Sequence, residues 1–321
     1  MFLPEILNIF VAESFRQRIF CSKVGATDSY IDRFCDYLKL ERNYSDRTVQ
    51  SYRIDLELFS SFLDRTDRTL DFLSVSQRAV RAWVAEMMEN DCRPATVNRR
   101  LSALRSFYRF LRAGNIAASS PLTGIKGPKG KKPLPQFVRE GDMDLLLDDT
   151  DMGDGFEGML KKAVVATFYE TGIRLAELIG IDESDVSLDM NTIKVTGKRN
   201  KQRIIPFGSD LAVILSDYKA VRDRLPSLSS GALFVNAKGD RIPRHQVYRI
   251  VHDLLGRVSS IDKRSPHVLR HTFATAMLNH DAELGVVKEL LGHESLSTTE
   301  IYTHTTSEEL KKIYKQAHPR A

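Results

Sequence analysis

The residues able to do chemistry crowd toward the C-terminal end of the chain. Between Arg264 and His304 stand His267, Arg270, His271, His293, Tyr302 and His304, and this window holds five of the eight histidines among 321 residues. A helix opening at Pro266 places His267, Arg270 and His271 at i, i+3 and i+4, on one face. Phe273, Ala274 and Met277 then turn toward a core. A guanidinium offers a rigid fork of donors to two phosphate oxygens, and an imidazole can donate, accept or move a proton near neutrality. Gly292 before His293 predicts a tight turn that delivers the imidazole from a helix end. Tyr302 is a competent nucleophile only where arginines and histidines neutralise the charge of the phosphate it attacks. Singly, each residue has an ordinary surface or core explanation; together they point to phosphoryl chemistry.

Composition narrows the class. The apolar share of 42% and charged share of 28% describe a folded soluble protein, and the length suffices for two domains. A net charge of +5 and a pI near 9.0 lean toward a polyanionic partner. Cys21, Cys35 and Cys92 are odd in number and lack metal-ligand spacing, which suits free thiols in a reducing cytoplasm. No run reaches the roughly 18 apolar residues of a membrane span. Phe2 to Val11 carries Pro4, Glu5 and Asn8 and does not read as a secretory leader, so no membrane insertion is expected.

The elements that must position these groups follow from periodicity. Residues 1–27 form an extension of uncertain role, with Ile6, Ile9, Phe10 and Phe15 as one apolar stripe. Residues 28–120 predict a four-helix bundle. Tyr30, Phe34, Tyr37 and Leu38 mark its first helix, Ser45 caps the second, Ser76–Met88 is the third, and Val97, Leu101, Leu104, Tyr108 and Leu111 make the seam of the fourth. Gly114 stands where a C-cap glycine belongs. The far side of that fourth helix carries Arg99, Arg100, Arg105, Arg109 and Arg112, either a solvated face or a grip on a phosphate backbone. Residues 121–135 are rich in Gly, Pro and Lys and read as a basic linker with little to bury, along which Lys126, Lys129, Lys131 and Lys132 can track DNA.

Residues 136–321 predict a mixed, mostly helical domain. Helices are expected at Gly141–Leu147, Met159–Tyr169, Leu175–Leu178, 209–225 and His245–Val258. Thr192–Gly197 and Arg203–Pro206 form a β-hairpin with a basic tip holding Lys198 and Lys201, and Leu233–Val235 reads as a further short strand. Arg244, Gln246 and Arg249 put a major-groove element at the start of the His245–Val258 helix. A final charged helix, Ser307–Gln316, offers Leu310 and Ile313 as its apolar pair, candidates for contact with a neighbouring subunit. The fold class is mainly α, a four-helix bundle followed by a helical domain with a small β-hairpin or sheet.

The stretches Thr-Gly-Ile-Arg-Leu-Ala-Glu-Leu (171–178), Gly-Lys-Arg-Asn-Lys-Gln-Arg-Ile-Ile-Pro (197–206), His-Val-Leu-Arg-His-Thr-Phe-Ala-Thr (267–275), Leu-Leu-Gly-His-Glu-Ser (290–295) and Ser-Thr-Thr-Glu-Ile-Tyr-Thr-His (297–304) closely resemble the signature of tyrosine site-specific recombinases, the Xer branch in particular. The resemblance runs from about residue 28 to the C-terminus, and it implies that the bundle clamps DNA opposite the catalytic domain. It also implies that Arg174 and Arg270 bind the non-bridging oxygens of the scissile phosphate, and that Lys198 protonates the departing 5′ oxygen. His267 exchanges a proton with the nucleophile, His293 hydrogen-bonds a phosphate oxygen, and Tyr302 becomes a 3′-phosphotyrosine. Lys201 rivals Lys198 on the same tip. Glu177 is placed one turn from Arg174 to orient it, and His271 reads as a buried structural hydrogen-bonder or brace.

The same resemblance implies double-stranded DNA as substrate and a homo- or hetero-tetramer on two sites. It implies a second related recombinase and a cell-division DNA translocase as partners, and a role in resolving chromosome dimers. It implies neither cofactor nor metal. A phage or mobile-element integrase shares the catalytic residues, and a type IB topoisomerase shares the chemistry. A metal hydrolase built on His267 and His271 lacks its glutamate, and Arg270 would repel the cation. A non-catalytic architectural DNA-binding protein accounts for the charge but leaves Tyr302 without a purpose.

Overall fold

Apolar side chains recurring every three to four residues set the helices of both halves of the chain. A computed structural model describes residues 26–67, 69–130, 136–197, 200–228, 231–292 and 307–321. The chain divides between Lys132 and Pro133 into two compact units, each with its own core.

The first unit is the expected bundle. Its helices are α1 (Ala26–Asp36, running into a π-helical turn at Tyr37–Glu41), α2 (Asp46–Thr66), α3 (Gln77–Glu89) and α4 (Pro94–Ala113). Ser45 and Ser76 cap α2 and α3, their hydroxyls accepting from Thr48 N and Ala79 N at 3.3 Å each. Aromatic packing fills the core: Phe59 lies 4.7 Å from Trp83, and Phe34 meets Phe107 edge-on at 5.3 Å. Tyr108 is buried on the α4 seam because its hydroxyl reaches the Phe72 carbonyl at 2.7 Å. Gly114 ends α4 at φ −84°, and the left-handed residue is Asn115 at φ 54°, so asparagine does the work expected of the glycine.

Two expectations about this unit change. The first part of the supposed linker is a strap packed on the bundle, with Leu122 and Ile125 buried. Its carbonyls are taken by helix side chains: Gln77 donates to Thr123 O, Arg105 to Ile125 O at 2.8 Å, and Asn98 to Pro128 O at 3.0 Å. Two apolar residues among glycines and prolines are enough once the backbone is satisfied. Lys126 and Lys129 are exposed on the strap; Lys131 and Lys132 lie outside the described residues. The basic side of α4 is also not uniform. Fully buried Asp55 accepts both terminal nitrogens of Arg99, and Arg100 Nε stands 3.8 Å from it. Arg99 and Arg100 therefore serve a buried carboxylate and Arg105 a carbonyl, whereas Arg109 and Arg112 are exposed.

In the second unit the central helix is α6 (Gly155–Thr171), buried continuously from Ala163 to Thr171. It follows α5 (Glu140–Asp144) and a π-helical turn at Leu145–Asp149. Next come α7 (Leu175–Gly180) and a three-stranded antiparallel sheet of β1 (Val186–Ser187), β2 (Thr192–Thr196) and β3 (Gln202–Pro206), in that order. The sheet is followed by α8 (Ser209–Arg222), α9 (Arg244–Val258), α10 (Pro266–Asn279), α11 (Leu284–Leu291) and α12 (Ser307–Ala317). Leu233–Val235 is buried but makes no strand; only isolated bridges, Asp182 to Ala232 and Val235 to Arg241, flank it. Val235 N donates to Tyr218 Oη on α8, and single backbone bonds from Leu233 N to Ile181 O and from Ile242 N to Phe234 O hold the segment without a continuous ladder.

The start of this unit is tied to α10: Val138 N donates to Thr272 Oγ1 at 2.9 Å, and Lys263 N to Gln136 Oε1 at 3.0 Å. The C-terminal helix α12 packs against β3, α10 and α11 of its own chain. Leu310 and Ile313, the candidates for subunit contact, are half-buried against that same core. Tyr314 and His318 stack with their ring centres 5.1 Å apart, both buried. Tyr314 Oη donates to Glu170 Oε2 at 3.3 Å, and Arg320 closes the end on Asp148 at 2.8 Å.

Burial pushes Glu170 up to about 8 and His318 down to about 4. A folded-state pKa above the unfolded value near 4.5 means that Glu170 favours folding fully below pH 4.5 and loses that advantage as pH rises toward 8. Glu170→Gln should therefore gain stability over wild type between pH 5 and pH 8, at up to about 1.4 kcal/mol per pH unit in urea titrations. His318 is common to both proteins and cancels. In the bundle, Arg99→Ala strands a buried carboxylate and should cost about 3 kcal/mol. Asp55→Asn leaves partly exposed arginines that can turn to water and should cost less, as thermal unfolding of the pair would show.

Candidate active site

The site is assembled around two helix ends. α6 stops at Gly172 with φ +59°, where a Cβ would lie 2.4 Å from the Phe273 ring and 2.9 Å from Leu291, so only glycine fits. Two residues on, Arg174 caps the start of α7, and Glu177 one turn later reaches back to it. The Arg174 amide donates to Glu177 Oε2 at 2.7 Å and its Nη1 to Oε1 at 2.8 Å, the orienting contact that the spacing predicts. Although burial alone would raise it, hydrogen bonds from Arg203 and from Arg174 hold the Glu177 carboxyl down at about 2.

The second helix end is the C-terminus of α11, where Gly292 turns the chain at φ +64° as expected. The last carbonyls of a helix have no partners within it and carry the negative end of its dipole. Here they take guanidinium donors. Arg270, buried on α10, donates to Leu291 O and to Gly172 O at 2.7 Å each, and Arg174 donates to Gly292 O at 2.9 Å. The two arginines of the signature are thus brought together from different elements onto adjacent carbonyls. Burial, and then the charge of Arg174, lowers Arg270 to about 10, which leaves it cationic at neutral pH.

His267 lies one turn before Arg270 on the same helix, at the surface. Partial burial lowers its pKa, and the charges of Arg270, His271, Arg244 and Arg174 act in the same direction. It is neutral at pH 7 and able to accept a proton. His271 is exposed, which corrects the expectation of a buried hydrogen-bonder; α10 turns that position to solvent. The hairpin is closed by Gly197 N donating to Lys201 O at 2.7 Å, and Lys201 is exposed on its tip. Lys198, His293, Tyr302 and His304 lie outside the described residues. Arg244 stands close enough for its charge to bear on His267, whereas Gln246 and Arg249 line a separate cleft of mixed charge with Glu157, Lys161, Asp253 and Arg257. Among the described residues, no three His, Cys, Asp or Glu side chains converge as a metal site would require.

Sequence reasoning missed Arg203, treated there only as the start of a strand. It pairs with Val195 across the sheet and shares the inward face with Ile205, while Ile204 between them is exposed. Strand alternation was the available signal: a lone arginine in phase with buried isoleucine must find partners inside.

The comparisons with known proteins agree with this geometry. Residues 136–309 match the phage integrase family, and residues 31–115 match the phage integrase N-terminal SAM-like domain. Tyrosine recombinase XerC of Pelotomaculum thermopropionicum is 39% identical over 91% of this chain and 98% of its own length. XerC of Staphylococcus epidermidis is 37% identical over 92% and 98%. In fold, the chain is similar to the XerH site-specific recombinase bound to a palindromic difH substrate in a post-cleavage complex. That likeness has a TM-score of 0.69 at 21% identity, over 88% of this chain and 83% of that one. No helix among the described residues is long and apolar enough to cross a membrane. The two guanidiniums on one carbonyl cluster, the family matches and the full-length similarity to XerC carry one conclusion: the chain belongs to the phage integrase family, as a site-specific tyrosine recombinase of the Xer-like branch that acts on DNA through phosphotyrosine chemistry.

Proposed function

We propose that this recombinase resolves chromosome dimers at a specific chromosomal site in the cytoplasm. Its working form is a tetramer on two sites, completed by a second related recombinase and governed by a cell-division DNA translocase. Similarity over nearly the whole length of XerC proteins supports the chromosomal role over that of a mobile-element integrase. The convergence of Arg174 and Arg270 on the carbonyls of Gly172, Leu291 and Gly292 is the observation that carries the catalytic assignment.

In this reading the two guanidiniums take the non-bridging oxygens and offset the charge that grows as phosphorus becomes five-coordinate. Tyr302 Oη attacks phosphorus, its proton passing to neutral His267, and His293 donates to a phosphate oxygen. The bond from phosphorus to the 5′ oxygen breaks, and Lys198 protonates that oxygen. The product is a 3′-phosphotyrosine and a free 5′-hydroxyl. Because the phosphodiester's energy is kept in the new bond, a 5′-hydroxyl from another strand reverses the step without ATP. Exposed Arg109 and Arg112, with Lys126 and Lys129 on the strap, supply backbone contacts from the bundle. Leu310 and Ile313 pass to a neighbouring subunit in the assembled tetramer.

Nicked duplexes that let the leaving fragment escape should trap an SDS-stable adduct with wild type and none with Tyr302→Phe. Specific binding with no adduct, even with a partner recombinase added, would return the protein to the architectural class. Arg109→Ala and Arg112→Ala should leave unfolding unchanged while flattening the dependence of log K on log salt by about 0.9 for each phosphate no longer neutralised. An unchanged slope would remove those residues from the DNA interface.

A further inference from the structure

Arg203 is where three parts of the catalytic unit meet. Its Nη1 and Nη2 each donate to Glu177 at 2.9 Å, one to each carboxylate oxygen, and its Nε donates to Leu290 O at 2.8 Å. The same carboxylate oxygens accept from Arg174, so one carboxylate serves a main-chain amide and two guanidiniums. The pair also abuts two glycines. A Cβ on Gly197 would lie 3.3 Å from Glu177 Oε1, and a Cβ on Gly292 would lie 3.1 Å from Arg203 Nη1. Gly197 is followed by Lys198 and Gly292 by His293. One planar, end-on fork with Nε as a third donor thus joins β3 to the cap of α7 and the end of α11, and lies beside the residue preceding each of two signature residues.

We propose that Arg203 is a positioning residue, fixing the Lys198-bearing hairpin and the His293-bearing end of α11 in register with Arg174 for phosphoryl transfer. It acts through Glu177 and Leu290 O, and has no need to touch DNA. A lysine in its place keeps the charge but cannot supply three donors in one plane. The assignment rests on the roles given above to Lys198 and His293, and the test separates the two.

The experiment measures single-turnover adduct formation by the full chain on a nicked duplex that wild type cleaves, together with DNA affinity and thermal unfolding. Arg203→Met should bind DNA within about twofold of wild type and form the adduct about 10- to 100-fold more slowly, as expected for misplacing groups that must be aligned. Arg203→Lys should recover only part of that rate. A duplex with sulfur replacing the bridging 5′ oxygen expels a thiolate, which needs no proton; it should restore much of the Arg203→Met loss and nearly all of the Lys198→Ala loss. Wild-type rates in Arg203→Met, full recovery by Arg203→Lys, or a rate loss matched by an equal loss of affinity would each overturn the proposal. Rescue by sulfur of Lys198→Ala but not of Arg203→Met would overturn the hairpin part of it. If sulfur fails to rescue Lys198→Ala, the assignment of Lys198 as the acid is what falls, and the rate and affinity comparisons still decide Arg203. Where Arg203→Met does not unfold cooperatively, Arg203→Lys alone decides, wild-type rates again counting against the proposal.

Discussion

Guanidiniums gathered to meet one phosphate repel each other before any phosphate arrives. In this recombinase the repulsion is offset by one buried carboxylate, Glu177, and by the carbonyls at the end of α11. Glu177 is ionised across the whole physiological range, with its pKa at about 2, and receives Arg174 from one side and Arg203 from the other. Leu290, Leu291 and Gly292 then offer their carbonyls to Arg203, Arg270 and Arg174 in turn. A helix C-terminus is the natural place to park positive charge, since its unpaired carbonyls supply both acceptors and a favourable field. The conformations of Gly172 and Gly292 follow from this, because both segments must turn sharply to present those carbonyls.

Such a centre is built before it is used. Fixed donors directed at the place where negative charge develops need no reorganisation during the reaction, which is the advantage of a preorganised site over water. The lowered pKa of His267 has burial as its first cause, and the charges of Arg270, Arg244 and Arg174 add to it by disfavouring a further cation on the neighbouring imidazole. In the proposed mechanism, one set of charges thus serves both the electrophile and the base.

Much of this was legible in the amino-acid order because it depends on local rules. Helical periodicity located the bundle, Ser45 and Ser76 marked two helix starts, and the Leu-Leu-Gly run announced the turn that precedes His293. What stayed hidden depends on partners far along the chain. Arg99 looked like one of five equivalent arginines until Asp55, 44 residues away, took both of its terminal nitrogens. Arg203 meets Leu290 across 87 residues, and Leu122 and Ile125 sit in a segment whose composition promised no packing. The terminal helix offered Leu310 and Ile313 to the eye, yet its most buried groups are Tyr314 and His318, whose seat on Tyr169 and Glu170 no periodicity could indicate.

The bond between Val138 N and Thr272 Oγ1 spans 134 positions and joins the entrance of the catalytic unit to the helix that holds His267 and Arg270. With Gln136 bonded to Lys263 just ahead of that helix, the entering segment and α10 form one mechanical member. The segment entering the catalytic unit is therefore bonded directly to the helix that carries His267 and Arg270, while Val138 itself is buried in the core.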